Sequence, residues 1–181
     1  MAIKITFLGA GSSVFVRNVL GDCIIHPELE DLTFALYDID AQRLEDSYLM
    51  LHEICAHYGK SVKMEKYVGV EELPQALTGA NFLICAIQVG GYDPCTISDF
   101  EIPKKYGLRQ TIADTLGVGG VFRALRTIPV MEMFGKMAEK YCPNAVFLNY
   151  SNPMGMLSGY MERYCNVQFV GLCHSVQVAV P

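Results

Sequence analysis

Lys4-Ile-Thr-Phe-Leu-Gly-Ala-Gly-Ser-Ser-Val-Phe-Val-Arg-Asn18 is an apolar run that breaks at Gly9-Ala-Gly11 and resumes with helical spacing. That pattern describes a strand, a tight turn and a helix. Gly9 permits the sharp turn, and Gly11 lets the backbone approach a pyrophosphate closely. The helix that follows presents its first N–H groups and the positive end of its dipole to negative charge. Ser12 and Ser13 suit the cap position, where a side-chain oxygen accepts from one of those amides. Val14 replaces the third glycine of the G-x-G-x-x-G pattern, so the turn alone is a weak signal. The next apolar run strengthens it: Leu32-Thr-Phe-Ala-Leu-Tyr-Asp38 ends in an acid 27 residues on from Gly11. A carboxylate there accepts from both ribose hydroxyls of an adenosine and repels a 2′-phosphate, which favours NAD over NADP.

Outward from this unit, strands and helices alternate. The first helix shows an apolar face at Val16, Val19, Leu20 and Cys23. A second helix is expected from about Ala41 to Tyr58, closed by Gly59 as a C-terminal cap. Lys63 to Val68 alternates as an edge strand does, Glu71 to Thr78 reads as a short helix, and Asn81 to Ile87 reads as a strand covered on both faces. Val118 to Tyr141 has helical spacing, with a break expected before Pro129. Ala145 to Leu148, Met154 to Tyr164 and Val167 to Leu172 supply a fifth strand, a helix and a sixth strand. The fold expected is α/β, a doubly wound parallel sheet of Rossmann type with strand order 3-2-1-4-5-6. Residues 1–175 form the nucleotide-binding domain in this reading, and 176–181 begin a C-terminal substrate and metal domain absent from the sequence.

The composition narrows the function. The chain has 181 residues, 51% of them hydrophobic, and a net charge of −5 without a Lys/Arg stripe, which argues against a nucleic-acid partner. No run reaches the 18 or so apolar residues of a membrane span, and the N-terminus lacks the layout of a signal peptide, so a cytoplasmic protein with no membrane partner is expected. Seven cysteines, an odd number with no C-x-x-C pair, argue against a disulfide framework, and most of them are expected to be small buried apolar side chains.

In an open parallel sheet the ligand crevice lies beyond the carboxyl ends of the strands. Four segments fall there: Gln88-Val-Gly-Gly-Tyr-Asp-Pro94, Asp114-Thr-Leu-Gly-Val-Gly-Gly120, Asn149-Tyr-Ser-Asn-Pro-Met154 and Gly171-Leu-Cys-His-Ser175. Cys173 and His174 are the most reactive pair in the sequence. Adjacent strand residues point to opposite faces, so one can ligate a metal while the other moves a proton or packs. A buried inert thiol beside a hydrogen-bonded histidine is the alternative. Asn152 before Pro153 is either a turn signal or an amide aimed at a sugar or nicotinamide hydroxyl. Asp93, Asp99 and Glu101 are expected to be solvated loop acids.

Taken together, Ile-Thr-Phe-Leu-Gly-Ala-Gly-Ser, Leu-Gly-Asp22, Leu-Tyr-Asp38-Ile-Asp, Gly-Gly-Tyr-Asp-Pro-Cys-Thr, Gln-Thr-Ile-Ala-Asp-Thr-Leu-Gly, Arg123-Ala-Leu-Arg-Thr-Ile-Pro129, Asn-Pro-Met and Gly-Leu-Cys-His-Ser-Val resemble the family 4 glycoside hydrolases, in particular their α-galactosidase (melibiase) branch. Cys-His-Ser looks like the branch acting on unphosphorylated α-galactosides or α-glucosides, since Asp or Asn follows the cysteine in branches acting on 6-phosphoglycosides. Val118 departs from a proline common in melibiases. The resemblance implies an enzyme that departs from two-carboxylate glycosidase chemistry. By this resemblance NAD⁺ oxidises the sugar at C3, a base takes the C2 proton while a divalent ion such as Mn²⁺ polarises the C2 and C3 oxygens, the aglycone leaves C1 by elimination, water adds back, and NADH reduces the ketone again.

By the same resemblance, Gly9, Gly11, Ser12, Ser13 and Asp38 hold the cofactor and Cys173 ligates the metal. Asn152 contacts sugar hydroxyls, Asp114 lies near the sugar, and His174 is a candidate proton donor to the leaving group, suited by a pKa near neutrality. The partner implied is a small α-glycoside, with a homo-oligomer expected for the full-length protein. The family's metal-binding histidine and C2 base come from after the sixth strand, so a chain of this length is expected to bind NAD without turning over glycosides. A non-catalytic NAD-binding module is the alternative. A malate- or lactate-type dehydrogenase ranks lower, because the loop after strand four lacks an arginine to clamp a 2-keto acid.

Overall fold

The computed structural model describes residues 2–109 and 117–173. β1 (Ile3–Leu8) runs through the Gly9 turn into a helical run made of α1 (Ser13–Phe15), a π turn (Val16–Leu20) and α2 (Gly21–Ile25). β2 (Leu32–Asp38), α3 (Ala41–His57) and the edge strand β3 (Lys63–Val68) follow. A 3₁₀ turn (Val70–Glu72) and α4 (Leu73–Leu77) lead to β4 (Phe82–Cys85), then to an irregular turn (Gly91–Thr96) and α5 (Ile97–Lys104). α6 (Val118–Tyr141), β5 (Val146–Asn149), α7 (Met154–Tyr164) and β6 (Gln168–Gly171) complete the described chain. All five strand pairings are parallel, and the order is β3-β2-β1-β4-β5-β6, as the alternation of strand and helix patterns predicts.

The strand side chains alternate between two apolar layers. Ile5, Phe7, Phe34, Leu36 and Ile84 pack against Val16 and Leu20 of the π turn, Ile24 of α2 and Leu44 and Leu51 of α3. Leu8, Tyr37, Leu83 and Phe147 pack on the opposite face against Leu73, Leu77, Met131, Phe134, Leu157 and Met161. The central strands therefore read as unbroken apolar runs, because helices cover both faces. Each fully buried Leu or Phe contributes about 1.5–3 kcal/mol by leaving water. Thr6, buried inside β1, donates its hydroxyl to the Ala76 carbonyl at 2.7 Å, which satisfies the polar atom in the core.

One local expectation is refined and two are corrected. The apolar face Val16, Val19, Leu20 and Cys23 does pack on the core, but the π turn after α1 inserts an extra residue into the helical phase, so the fully buried row runs Val16, Leu20, Ile24, while Val19 and Cys23 are half-buried. The helix over 118–141 continues through Pro129 rather than breaking before it. Pro129 is exposed and Leu125, four residues back, is 66% exposed, so water can bond the carbonyl that proline leaves without a donor. Ser12 occupies the N-cap position of α1, but its side chain makes no capping bond. Its backbone lies at φ −82°, ψ 77°, outside the extended geometry from which a cap side chain reaches back. Backbone bonds close the turn instead: Ser12 N–H to the Gly9 carbonyl at 3.0 Å, Ser13 N–H to the Gly11 carbonyl at 3.2 Å, and Val16 N–H to the Ser12 carbonyl at 3.0 Å.

α6 and α7 meet at Gly135, where an added Cβ would stand 2.6 Å from Cys165 Sγ and 2.8 Å from Met161 Cε. Gly159 on the exposed side of α7 has nothing within 4 Å. Gly135→Ala is expected to lower the free energy of unfolding by about 1–3 kcal/mol through overpacking. Gly159→Ala is expected to raise it by up to about 1 kcal/mol through helix propensity. Urea denaturation of both variants checks this, and shifts of the same sign would contradict the packing described.

Candidate functional site

Strand registers bring the carboxyl ends of five strands into one row: Tyr37 pairs with Leu8, Leu8 with Cys85, Cys85 with Asn149, and Asn149 with Gly171. The residues immediately beyond that row are Asp38, Gly9, Ala86, Tyr150 and Leu172, so the predicted segments after β1, β2, β4, β5 and β6 share one edge. The strand order reverses between β1 and β4, which is where an α/β sheet opens its ligand crevice.

The first wall of that crevice is the glycine turn. Gly9 has φ +89°, and a Cβ there would stand 2.8 Å from the Ala86 carbonyl oxygen and 2.9 Å from Ile87 Cγ2. Both the backbone conformation and the close approach of β4 require glycine. At Gly11 an added Cβ would stand 2.8 Å from Asp38 Oδ2. The missing side chain admits the Asp38 carboxylate, whose Oδ2 accepts from Gly11 N–H at 2.6 Å and whose Oδ1 accepts from Asp40 N–H at 3.0 Å. Each carboxylate oxygen carries about two acceptor positions, so each retains one for a ribose hydroxyl. Asp40 in turn caps α3, accepting from Gln42 N–H at 3.0 Å and Arg43 N–H at 3.1 Å. The remaining Asp38 acceptors, beside a turn that carries no side chain at Gly9 or Gly11, fit the ribose at the adenosine end of a dinucleotide.

The segments beyond β4 and β5 are fastened by buried and half-buried polar side chains whose partners the sequence reading did not foresee. Asp99 is 4% exposed rather than a solvated loop acid. Arg126 Nη1 donates to Asp99 Oδ1 at 2.8 Å, Arg126 Nη2 donates to Asp99 Oδ2, and Arg126 Nε donates to the Val89 carbonyl at 3.1 Å. The hydrogen bonds to Asp99 raise the guanidinium pKa further. Charge and planar fork geometry make this the side chain that ties α5 and the loop after β4 to α6. Asn149 is fully buried; its Nδ2 donates to the Ser151 carbonyl and its Oδ1 accepts from Ser151 N–H, both at 3.0 Å. Polar residues abutting the apolar strand at Asn149-Tyr-Ser151 were the signal available.

Asn152 is half-buried and joined to Pro153 by a cis peptide bond. Cys173 is exposed, two residues beyond the end of β6. Asp114 and His174 lie outside the described residues. Mn²⁺ prefers oxygen and nitrogen donors, and among the described residues no three His, Cys, Asp or Glu side chains cluster. The described residues therefore do not fit a manganese site by themselves. Cys55, Cys85, Cys142 and Cys165 are buried, as expected of small apolar side chains.

Against known proteins, the model of "Family 4 glycosyl hydrolase" matches residues 4–180. The chain belongs to glycosyl hydrolase family 4. Among curated relatives, an alpha-galactosidase of Bacillus subtilis is 57% identical over 175 residues, covering 97% of this chain and 40% of that protein. An alpha-galacturonidase of Thermoanaerobacter italicus is 34% identical, covering 96% of this chain and 37% of that protein. Among solved structures, the 6-phospho-beta glucosidase of Thermotoga maritima, determined with manganese, NAD⁺ and glucose-6-phosphate, superposes with a TM-score of 0.81 at 27% identity, over 95% of this chain and 40% of that one. The family 4 chain thus spans about two fifths of the length of these relatives. Among its described residues no helix is long and apolar enough to cross a membrane.

Burial pushes the Cys85 thiol, at the edge of the crevice, up from 9.0 to about 11. Between those values the folded protein keeps a proton that the unfolded chain releases. The contribution of this thiol is complete below about pH 9 and is lost as pH rises through about 11. The stability difference between the wild type and Cys85→Ala is therefore expected to shrink between pH 9 and 11 and to stay constant from pH about 6 to about 8. Urea unfolding of both across this range checks it; a constant difference throughout would contradict it.

Proposed function

We propose that this chain is the NAD-binding part of a family 4 glycosidase acting on an unphosphorylated α-galactoside or α-glucoside. Residues 1–175 form its nucleotide domain, and 176–181 begin a second domain for substrate and metal. The single observation that carries the cofactor assignment is the 2.6 Å hydrogen bond from Gly11 N–H to Asp38 Oδ2. It fixes a charged acceptor beside a glycine turn, at the point in the sheet where dinucleotides bind. The 57% identity to the Bacillus subtilis alpha-galactosidase supports a galactoside.

In this reading Gly9, Gly11, Ser12 and Ser13 shape the turn on which the pyrophosphate rests, and Asp38 orients the ribose and repels a 2′-phosphate. NAD⁺ supplies a reversible hydride acceptor, which lets a glycosidase work by oxidation and elimination at the sugar ring. Asn152 and Asp114 hold sugar hydroxyls, and His174 donates a proton to the leaving group. Cys173 ligates a divalent ion whose remaining donors come from outside the described residues. The exposed Val118, Val121 and Leu125 on α6 support a face covered in a homo-oligomer of the complete protein. A cytoplasmic setting agrees with thiols used as apolar packing.

Titration of the chain with NAD⁺ and NADP⁺ is expected to show at least about tenfold preference for NAD⁺. Asp38→Asn is expected to weaken NAD⁺ binding by about tenfold, the equivalent of about 1.4 kcal/mol, and to reduce the discrimination. Equal affinity for both cofactors in the unaltered chain would overturn the assignment of Asp38. For the chemistry, hydrolysis in D₂O by a protein of the relatives' full length is expected to place deuterium at C2 of the released sugar. Complete retention of the original hydrogen would exclude the oxidation and elimination route.

A further inference from the structure

The crevice between β1 and β4 has a second fastening, at the level where regular strand pairing stops. Tyr150 N–H donates to the Cys85 carbonyl at 2.8 Å, a backbone bond between the end of β4 and the chain leaving β5. The next amide on that side, Ile87 N–H, is taken by a side chain: it donates to Ser151 Oγ at 2.9 Å. Ser151 is 3% exposed, and its hydroxyl also lies 3.5 Å from Cys85 Sγ. Its own backbone is closed on both sides by the fully buried Asn149 amide. A residue with its amide, carbonyl and hydroxyl all engaged has little freedom, and the order it holds passes to Ile87. Ile87 and Ala86 form the surface against which Gly9 is packed. A continuous chain of contacts thus runs from the nucleotide turn through Ile87 and Ser151 to Asn149, with Asn152 next in sequence.

We propose that Ser151, held by Asn149, is a positioning residue of the nucleotide crevice: by holding the Ile87 amide it keeps the Ala86 carbonyl and the Ile87 side chain against Gly9 and so shapes the side of the crevice that receives the second nucleotide of the dinucleotide. The proposal rests on the NAD reading above. Asp38 anchors the adenosine over β2 and the glycine turn holds the pyrophosphate over β1, so the remaining half of an extended dinucleotide lies toward β4 and β5. AMP touches only the first part of this path and NAD⁺ touches all of it.

The test is calorimetric titration of the chain with AMP and with NAD⁺, for the wild type, Ser151→Ala and Ser151→Thr, alongside thermal unfolding. Ser151→Ala is expected to keep AMP affinity within about twofold and to lose about tenfold in NAD⁺ affinity, the equivalent of about 1.4 kcal/mol. Ser151→Thr, which keeps the hydroxyl, is expected to restore NAD⁺ binding. Parallel loss of both ligands in Ser151→Ala would make the residue merely structural and overturn the proposal, as would unchanged NAD⁺ affinity. If Ser151→Ala does not fold, Ser151→Cys, with a weaker acceptor of similar size, takes its place with the same selective loss expected and the same overturning results. Wild-type chain that binds AMP but gains nothing from the second nucleotide of NAD⁺ would overturn this proposal alone. Binding of neither ligand would overturn the NAD reading, and this proposal with it.

Discussion

The close approach of β4 to the turn after β1 sets the rest of the crevice. A carbonyl oxygen stands 2.8 Å from where any Cβ of Gly9 would be, and the backbone there has φ +89°. Either condition alone would disfavour a side chain; together they leave glycine as the residue the turn can hold. With the turn fixed, Gly11 follows at a position where the Asp38 carboxylate comes within 2.6 Å of its N–H. The acid at the end of β2 is thus part of the turn as well as a group for a ligand. Its position depends on two residues having no side chain.

The row of strand ends beyond this turn is held by buried polar groups rather than by longer strands. β4 and β5 have four residues each, and their loops could diverge as soon as pairing stops. Two devices hold the chain leaving β4. Arg126 spans from Asp99 to the Val89 carbonyl, and Ser151 accepts from Ile87 N–H. An ion pair of this kind contributes little net stability compared with apolar packing, but removing Arg126 would leave the buried Asp99 carboxylate without compensation. That suits a region that must present a defined surface while remaining open on the solvent side.

Membership of family 4 and the described geometry together explain why a nucleotide fold belongs in a glycosidase family. At the adenosine end the crevice offers the Asp38 carboxylate beside a turn without side chains at Gly9 and Gly11. Its described part lacks a cluster able to hold a divalent ion. In the proposed function the sheet brings the cofactor to the sugar, and the remaining metal donors lie outside the described residues, in keeping with a chain that spans about two fifths of its relatives' length.

Local pattern determined the alternation of strands and helices, from which the strand order of a doubly wound sheet was expected, together with the limits of α7 and the turn at Gly9, because each depends on apolar periodicity or on a backbone demand expressed by neighbouring residues. The acid at Asp38 was legible for the same reason, since it ends an apolar run. Tertiary structure alone decided the burial of Asp99, which sits in a polar stretch and is drawn inside by Arg126, 27 residues away. It also decided the roles of Asn149 and Ser151, whose partners include an amide 64 residues distant, and the passage of α6 through Pro129, which depends on which side of the helix faces water. The phase change in the first helix, from Cys23 to Ile24, likewise appears only once the π turn is packed on the sheet. Periodicity records which face of an element is apolar, but a buried polar side chain is stable only beside a particular partner, and that partner is chosen by the fold.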